Sequence, residues 1–133
     1  MKIIVLGAGQ VGLTVARSLA LEDNEVTVVD TNTAILQELE NTSDLRTVNG
    51  QASYPEVLRT AGAEDADMLI AVTNSDEINM MACQVAHTLF HTPTKISRVR
   101  SPNYLAHQEQ LFNPGNIPVD VIIGPEQLVT QSI

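Results

Sequence analysis

Short apolar runs recur along the chain, and helix-like segments lie between them. The runs predict β-strands at about 2–6, 26–30, 45–48, 67–72, 95–100 and 119–123. The segments between them predict helices near 10–22, 33–41, 54–61, 77–91 and 103–111, and a further helix from 126 onward. Such alternation is typical of βαβ units. The pattern therefore predicts an α/β fold, a Rossmann-like, doubly wound, parallel six-stranded sheet with helices on both faces.

The last residues predict a separate element. Gly124 and Pro125 are typical of a helix start, and the apolar pattern that follows from 127 to 133 has no stop signal. We expect one domain over 1–123, the start of a linking helix within 124–133, and a natural chain that continues beyond Ile133. The alternative is a frayed terminal tail.

Composition and charge exclude several classes of protein. Sixteen acidic residues against seven basic ones give a net charge of -9, which argues against nucleic acid or anionic lipid as a partner. The single cysteine excludes a disulfide scaffold. The apolar runs at 3–6 and 68–72 are far shorter than the roughly 20 residues of a membrane span. We expect a cytoplasmic protein with no direct membrane insertion.

A glycine-rich hexapeptide with the pattern G-x-G-x-x-G joins the first predicted strand to the first predicted helix. Its residues are Gly7, Ala8, Gly9, Gln10, Val11 and Gly12. In such loops the first glycine permits a tight turn, the second lets the backbone approach a pyrophosphate, and the third allows close helix packing. The N-terminus of the helix then offers free N–H groups to phosphate oxygens. In this context the motif predicts a dinucleotide site; by itself it indicates only a tight turn.

The second predicted strand ends at Asp30, 18 residues after Gly12. An acidic side chain at this position accepts hydrogen bonds from the adenosine ribose hydroxyls, and it disfavours NADP because a 2′-phosphate would meet a like charge. The alternative is that Asp30 caps the helix that follows Thr31.

Polar residues follow the fourth predicted strand, at the edge where open α/β sheets bind ligands. Thr73 and Asn74 carry hydrogen-bond donors and acceptors suited to ribose or amide groups. The alternative, compatible with the first, is a helix N-cap followed by two acidic residues in the first turn, Asp76 and Glu77.

Arg98 and Arg100 alternate with Val99 on the fifth predicted strand, so we expect both side chains on one face. Buried guanidinium groups need anionic partners. The candidates are a nucleotide phosphate, or an ion-pair network with Asp76 and Glu77.

The long predicted helix over 77–91 carries two further patterns. Cys83, His87 and His91 recur at intervals of four, but no fourth ligand lies nearby in the sequence, so surface histidines are the better interpretation and no metal site is expected. Apolar residues also occupy two faces, with Met80, Cys83 and Phe90 on the second. We expect this second face either to be covered by loops or to contact another subunit.

Five motifs together carry a family resemblance: MKIIVLGAGQVG at 1–12, VD at 29–30, DMLIAVTN at 67–74, DE-x-NM at 76–80 and RVRSP at 98–102. Over essentially its whole length the chain resembles the TrkA-N domains, also called RCK or KTN domains. These are the N-terminal nucleotide-binding lobes of cytosolic regulatory subunits in bacterial Trk potassium-uptake systems.

The resemblance implies a non-catalytic domain that binds NAD or NADH, and in many members ATP or ADP. It implies pyrophosphate contact for residues 7–11, ribose contact for Asp30, ligand contact for Thr73 and Asn74, and phosphate or ribose contact for Arg98. It further implies self-association as a dimer or tetramer, and a membrane potassium transporter as the partner, with the domain peripheral to the inner membrane.

Two points qualify this resemblance. Many members read Gly-Asp-Ala-Thr where this chain has Gly50, Gln51, Ala52 and Ser53, so Gln51 lacks the usual charge. The alternative function is the NAD-binding half of a dehydrogenase that lacks its substrate domain. The sequence has no Tyr-x-x-x-Lys pair and no histidine with an acidic partner in a ligand-facing loop, which favours the regulatory interpretation.

Overall fold

A computed structural model describes residues 1–125. The strands are β1 (Lys2–Leu6), β2 (Glu25–Asp30), β3 (Arg46–Asn49), β4 (Met68–Ala71), β5 (Thr94–Arg98) and β6 (Val121–Ile123). The helices are α1 (Gln10–Leu21), α2 (Thr33–Thr42), α3 (Pro55–Thr60), α4 (Asp76–Phe90), α5 (Pro102–Leu105) and α6 (Gln108–Leu111). The helix expected from 126 onward lies outside the described residues.

All six strands form one parallel sheet in the order β3-β2-β1-β4-β5-β6. The chain moves outward from β1 to β3, crosses back to β4 beside β1, and then moves outward again to β6. The order therefore reverses between β1 and β4, which is the position where doubly wound sheets open a crevice at their carboxyl edge. The predicted fold is confirmed.

The sheet separates two apolar cores. Ile3 and Val5 of β1 face the core that contains α1 and α2, while Ile4 and Leu6 face the core that contains α3 and α4. Because successive side chains of a strand point to opposite faces, a strand buried on both sides reads as an unbroken apolar run. This is why Ile3 to Leu6 is apolar throughout.

The segment predicted as a single helix over 103–111 is instead two short helices, so this prediction is wrong. The backbone leaves the helical conformation at His107 (φ -123°, ψ 26°) and α6 starts beyond it. The His107 N–H donates to the carbonyl of Tyr104 at 3.0 Å, three residues back, which tightens the last turn of α5. No glycine or proline marks this break in the sequence.

The apolar residues of α4 that are buried and those that are exposed also differ from the prediction. Met80 and Phe90, assigned to the second apolar face of the helix, are buried in the core, whereas Met81 and Leu89 are 53% and 52% exposed. The helix packs against β4, β5 and α3, so two of its sides are covered and it needs a wide apolar stripe. The guanidinium of Arg59 covers the Phe90 ring at 5.3 Å.

Within residues 1–125, no helix has the length and apolar content needed to cross a membrane.

Candidate functional site

A cavity of about 230 Å³ opens at the carboxyl edge of the sheet, across the point where the strand order reverses. Four chain segments form its walls: the glycine loop after β1, the segment at the end of β2, the segment at the end of β3, and the loop between β4 and α4. The lining residues are Gly7, Gly9, Val29, Asp30, Thr31, Gly50, Gln51, Ala52, Val72, Thr73, Asn74, Ser75 and Ile78. This is the place where open α/β sheets bind their ligands.

The glycine loop contains two glycines at which a Cβ would clash with the main chain. Gly7 has φ +107°, and a Cβ there would lie 2.8 Å from the carbonyl oxygen of Val72. Gly12 lies on the first turn of α1, where a Cβ would lie 1.8 Å from the carbonyl oxygen of Gly7. The predicted turn and the predicted close helix packing are both confirmed.

Gly9 differs from the other two glycines because its space is open. A Cβ on Gly9 would meet nothing within 4 Å, and its φ of -76° suits any residue. Gly9 is the N-cap of α1, and no side chain caps that helix. The open space and the uncapped N–H groups together form a cradle that fits a phosphate or pyrophosphate group.

Asp30 ends β2 and forms the wall next to the glycine loop. Its Oδ2 accepts a hydrogen bond from the Ala8 N–H at 2.7 Å, and its Oδ1 accepts one from the Asn32 N–H at 2.8 Å. The alternative role as helix cap belongs to another residue, because Asn32 caps α2 by accepting from the Ile35 N–H. Each carboxylate oxygen of Asp30 keeps further capacity to accept hydrogen bonds.

The opposite wall is the loop from Thr73 to Ser75. Ser75 caps α4 by accepting from the Ile78 N–H, and Asp76 and Glu77 occupy the first turn, so the predicted helix start is confirmed. The Thr73 hydroxyl donates to Oδ1 of Asn79 at 2.7 Å. The Asn74 side chain is exposed and makes no hydrogen bond within the described part of the chain.

The two arginines are arranged differently from the prediction. β5 ends at Arg98, so Arg100 lies beyond the strand. Nη2 of Arg98 donates to the carbonyls of Val72 and Thr73 at 3.2 and 2.8 Å, and Nη2 of Arg100 donates to the carbonyl of Asn74 at 2.8 Å. Among residues 1–125, neither forms an ion pair with Asp76 or Glu77.

Asp76 accepts instead from main-chain groups. Its carboxylate receives the N–H groups of Arg100 and Ser101, at 3.0 and 2.8 Å. Burial lowers the pKa of the Arg98 guanidinium, and the positive charge of Arg100 lowers it further. Nε of Arg98 is buried without a hydrogen-bond partner in the described part of the chain. The loop after β4 and the loop after β5 are thus joined by side chains that bind main-chain atoms.

The structure brings five of the ten predicted site residues to the cavity wall: Gly7, Gly9, Asp30, Thr73 and Asn74. Ala8, Gln10, Val11 and Gly12 lie behind or beside it in the glycine loop and the first turn of α1, and Arg98 lies behind the loop after β4. Phosphate or ribose contact by Arg98 stays a prediction. Gln51 lines the cavity beside Gly50, so the position where the chain departs from the family pattern faces the site.

Two residues that organise the opposite wall were not predicted to belong to the site: Asp76 and Asn79. Asp76 was expected only in the first turn of the helix or in an ion pair with the arginines. Both are buried polar side chains on α4. The sequence offers one signal for Asn79, since an asparagine on the sheet-facing side of a helix needs hydrogen-bond partners when buried. The sequence does not indicate that its partners are main-chain groups of Thr73 and Arg98.

No group of three or more histidine, cysteine or acidic side chains between residues 1 and 125 is arranged to hold a metal. Cys83 is buried, and desolvation raises the pKa of its thiol to about 12. His91 ends α4 in the left-handed conformation, with φ 53°.

A parallel sheet with this strand order, a glycine-rich loop between β1 and α1, and an acidic residue at the end of β2 define a Rossmann domain of the dinucleotide-binding class. The chain belongs to the TrkA-N domain family, which matches residues 3–125.

Relatives in the family are similar over the whole chain. The chain is 63% identical over 133 residues to the Trk system potassium uptake protein TrkA of Halomonas elongata. It is 62% identical over 133 residues to the protein of the same name from Vibrio alginolyticus. In both comparisons 100% of the chain is covered, but it spans 29% of the length of the relative.

Solved structures share the fold. The TrkA-N domain of inner membrane protein ybaL from Escherichia coli matches with a TM-score of 0.83 and 19% identity, over 98% of this chain and 91% of that one. The GsuK channel bound to NAD matches with a TM-score of 0.74 and 24% identity, over 92% of this chain and 21% of that one. GsuK bound to ADP matches with a TM-score of 0.78 and 22% identity, over 98% and 33%.

Proposed function

We propose that the chain is a nucleotide-sensing regulatory domain that binds NAD or NADH in the cleft, and ATP or ADP at the same place. In this proposal, the bound nucleotide controls a membrane potassium transporter of the Trk system. The domain acts in the cytoplasm, at the inner membrane, through its transporter partner. The relatives named as Trk potassium uptake proteins and the GsuK structures with NAD and with ADP support this proposal.

The observation that carries the proposal is the placement of Asp30 beside the open space at Gly9. A pyrophosphate in that space would receive the uncapped N–H groups at the start of α1. The ribose next to it would then meet the carboxylate of Asp30, which Ala8 already holds at the edge of the glycine loop. This arrangement supports a nucleotide whose phosphates lie at the glycine loop and whose ribose lies at Asp30.

Each predicted residue has a role in this proposal. Gly7 and Gly12 shape the turn, while Ala8, Gly9, Gln10 and Val11 present main-chain atoms to the pyrophosphate. Asp30 binds the adenosine ribose. Thr73, Asn74 and Arg98 belong to the side that receives the remaining part of a dinucleotide.

Self-association is part of the proposed function, and its surface is the exposed apolar stripe of α4. Met81 and Leu89 lie two turns apart on that helix and are each about half exposed. Val85 lies between them and is partly buried against the core. A second copy of the chain would cover this stripe and remove its apolar area from water.

A dehydrogenase half is the weaker candidate. Among the side chains that line the cavity, Asp30 is the titratable one, and it lies beside the glycine loop rather than on the wall after β4. No lining side chain of the second wall is a histidine, lysine, tyrosine or cysteine that could donate a proton to a substrate. This lining supports the proposal that the cleft binds a nucleotide without consuming it.

Calorimetric titration with NAD, NADH, ATP and ADP tests the proposal directly. We expect saturable binding with one site per chain for at least the adenine dinucleotides. We also expect the nucleotides to compete with one another, since they share the glycine loop. Absence of binding by all four nucleotides to the folded chain would overturn the proposal.

A further inference from the structure

Asn79 is a completely buried polar side chain just behind the cleft. Its exposed fraction is 0%, and it does not line the cavity. It lies on α4, one turn after the N-cap Ser75, and its own N–H donates to the Ser75 carbonyl at 3.0 Å within the helix. Its side chain points to the loop after β4 and to the end of β5.

The carboxamide of Asn79 uses its full hydrogen-bonding capacity on main-chain groups and one hydroxyl. Oδ1 accepts from the Thr73 N–H at 2.9 Å and from the Thr73 hydroxyl at 2.7 Å. Nδ2 donates to the Thr73 carbonyl at 3.3 Å and to the Arg98 carbonyl at 3.0 Å. An asparagine can satisfy this set because it carries both an acceptor and two donors.

These bonds fix the conformation of the loop that forms the cavity wall after β4. Because Asn79 binds the N–H, the carbonyl and the hydroxyl of Thr73, these polar groups are held in place by the protein at the cavity wall. The next residue, Asn74, is thereby held with its carboxamide exposed at the cavity wall. Arg98 supports the same loop through its bonds to the Val72 and Thr73 carbonyls.

The strand order indicates which part of a bound dinucleotide would contact the loop after β4. Asp30 and the glycine loop lie at the ends of β2 and β1, and in the proposed function they bind the adenosine half and the pyrophosphate. The loop after β4 lies on the other side of the reversal point, where the second half of a dinucleotide extends. We expect a mononucleotide diphosphate bound at Asp30 and the glycine loop to depend less on this wall than a dinucleotide does.

We propose that Asn79 is a positioning residue for the half of a dinucleotide beyond the pyrophosphate, and that it acts by holding Thr73 so that Asn74 faces the ligand. This inference rests on the proposed nucleotide-binding function. It extends that function by assigning dinucleotide selectivity to a residue that does not touch the ligand.

The test compares the affinities for NADH and for ADP in four forms of the chain: wild type, Asn79→Ala, Asn74→Ala and the double variant. We expect each single variant to lose roughly three- to tenfold in NADH affinity, the range of one net hydrogen bond. ADP affinity should stay within about twofold of wild type. The double variant should lose no more than the larger single effect, because Asn79 acts through Asn74.

A matched control is Asn24→Ala. Asn24 also joins two elements through its carboxamide, which donates to the Leu19 carbonyl at 2.9 Å, but it lies at the opposite edge of the sheet. It should change neither affinity. Equal losses for NADH and ADP in Asn79→Ala, or losses that multiply in the double variant, would overturn the inference and leave the proposed function intact.

Hydrogen exchange in the wild-type chain provides a second measurement that no folding defect in a variant can obscure. We expect NADH to slow exchange of the Thr73 amide beyond the protection seen with ADP, since the second half of the dinucleotide would extend over that loop. Equal protection by the two ligands would contradict the inference. If wild type binds neither ligand, the proposed function fails, and the inference fails with it.

Discussion

Asp30 and Ala8 are joined across the edge of the sheet by a hydrogen bond of 2.7 Å from the Ala8 N–H to the Asp30 carboxylate. The bond ties the end of β2 to the glycine loop that follows β1. One side chain therefore serves two purposes, because the carboxylate proposed to bind ribose also holds the loop proposed to bind pyrophosphate. Removing it affects both halves of the nucleotide site at once.

Asp30→Ala should weaken NADH binding about ten- to a hundredfold, the range for a lost charge-assisted hydrogen bond. The loop also loses its tether, so ADP binding should weaken as well. Calorimetric titration measures both effects. Asp44→Ala is the control, because it removes the same charge at an exposed position before β3, away from the cavity. Equal losses in the two variants would show that net charge, rather than this contact, controls binding.

An alanine substitution should lower nucleotide affinity at Gly9 but lower the stability of the fold at Gly12. Gly9→Ala adds a Cβ in open space, so the fold should persist while the methyl group fills the phosphate cradle and lowers nucleotide affinity. Gly12→Ala places a Cβ 1.8 Å from the Gly7 carbonyl oxygen, so the chain should be destabilised even without ligand. Thermal unfolding and titration separate the two effects. A Gly9→Ala variant with wild-type affinity would contradict the assignment of the cradle.

The sequence predicted the central strands β1, β2 and β4 well because they are buried on both sides of the sheet. In a run such as Ile3 to Leu6 every side chain enters one of the two apolar cores, so all of its residues are apolar. Such a run can be recognised in the sequence without knowing which strands lie beside it. The glycine loop and Asp30 were predictable for a related reason. The glycines recur at fixed short intervals and Asp30 ends the next strand, and both features can be read from the sequence.

The second wall was not predictable to the same degree, because its contacts join residues far apart in the chain. Arg98 binds carbonyls 25 and 26 residues earlier, and such acceptors leave no trace in side-chain patterns. An ion pair with Asp76 was the natural expectation from charges alone. The face of α4 that carries Met80 and Phe90 was expected to be covered by loops or by a second subunit. Phe90 is covered instead by helix α3, whose Arg59 lies over its ring.

The exposed stripe of α4 gives a prediction on assembly. Met81→Asp and Leu89→Asp should each abolish self-association and leave the unfolding temperature near that of wild type, because both side chains are half exposed. Phe90→Asp should instead unfold the chain, since it buries a charge without a partner. Analytical ultracentrifugation and thermal unfolding report the two outcomes. Self-association that persists in both stripe variants would exclude this surface.

Cys83 should be inert in the folded chain. Burial raises the pKa of its thiol to about 12, so the thiolate that reacts with disulfide reagents is scarce at pH 8. The sign of the shift means that raising the pH to 9 should still produce little reaction. Titration with a chromogenic disulfide should show less than one thiol per chain before urea is added and one afterwards. Rapid native modification would show that α4 opens readily.

NADH should be bound and not consumed. Hydride transfer to a carbonyl substrate needs an acid that protonates the developing alkoxide. Asp30 is the titratable side chain of the cavity lining, and its two oxygens accept from Ala8 and Asn32 on the side of the glycine loop. The wall that would face the nicotinamide presents Asn74 and Ser75, whose side chains do not titrate near neutral pH.

The measurement is the absorbance of NADH incubated with the chain and a panel of keto acids. We expect no loss that depends on the protein, while titration under the same conditions shows that the cofactor is bound. A heat-denatured sample corrects for spontaneous oxidation. Steady oxidation of NADH that requires a keto acid and disappears in Asn74→Ala would show that the loop after β4 takes part in catalysis. In that case the chain would be the cofactor half of a dehydrogenase rather than a regulatory domain.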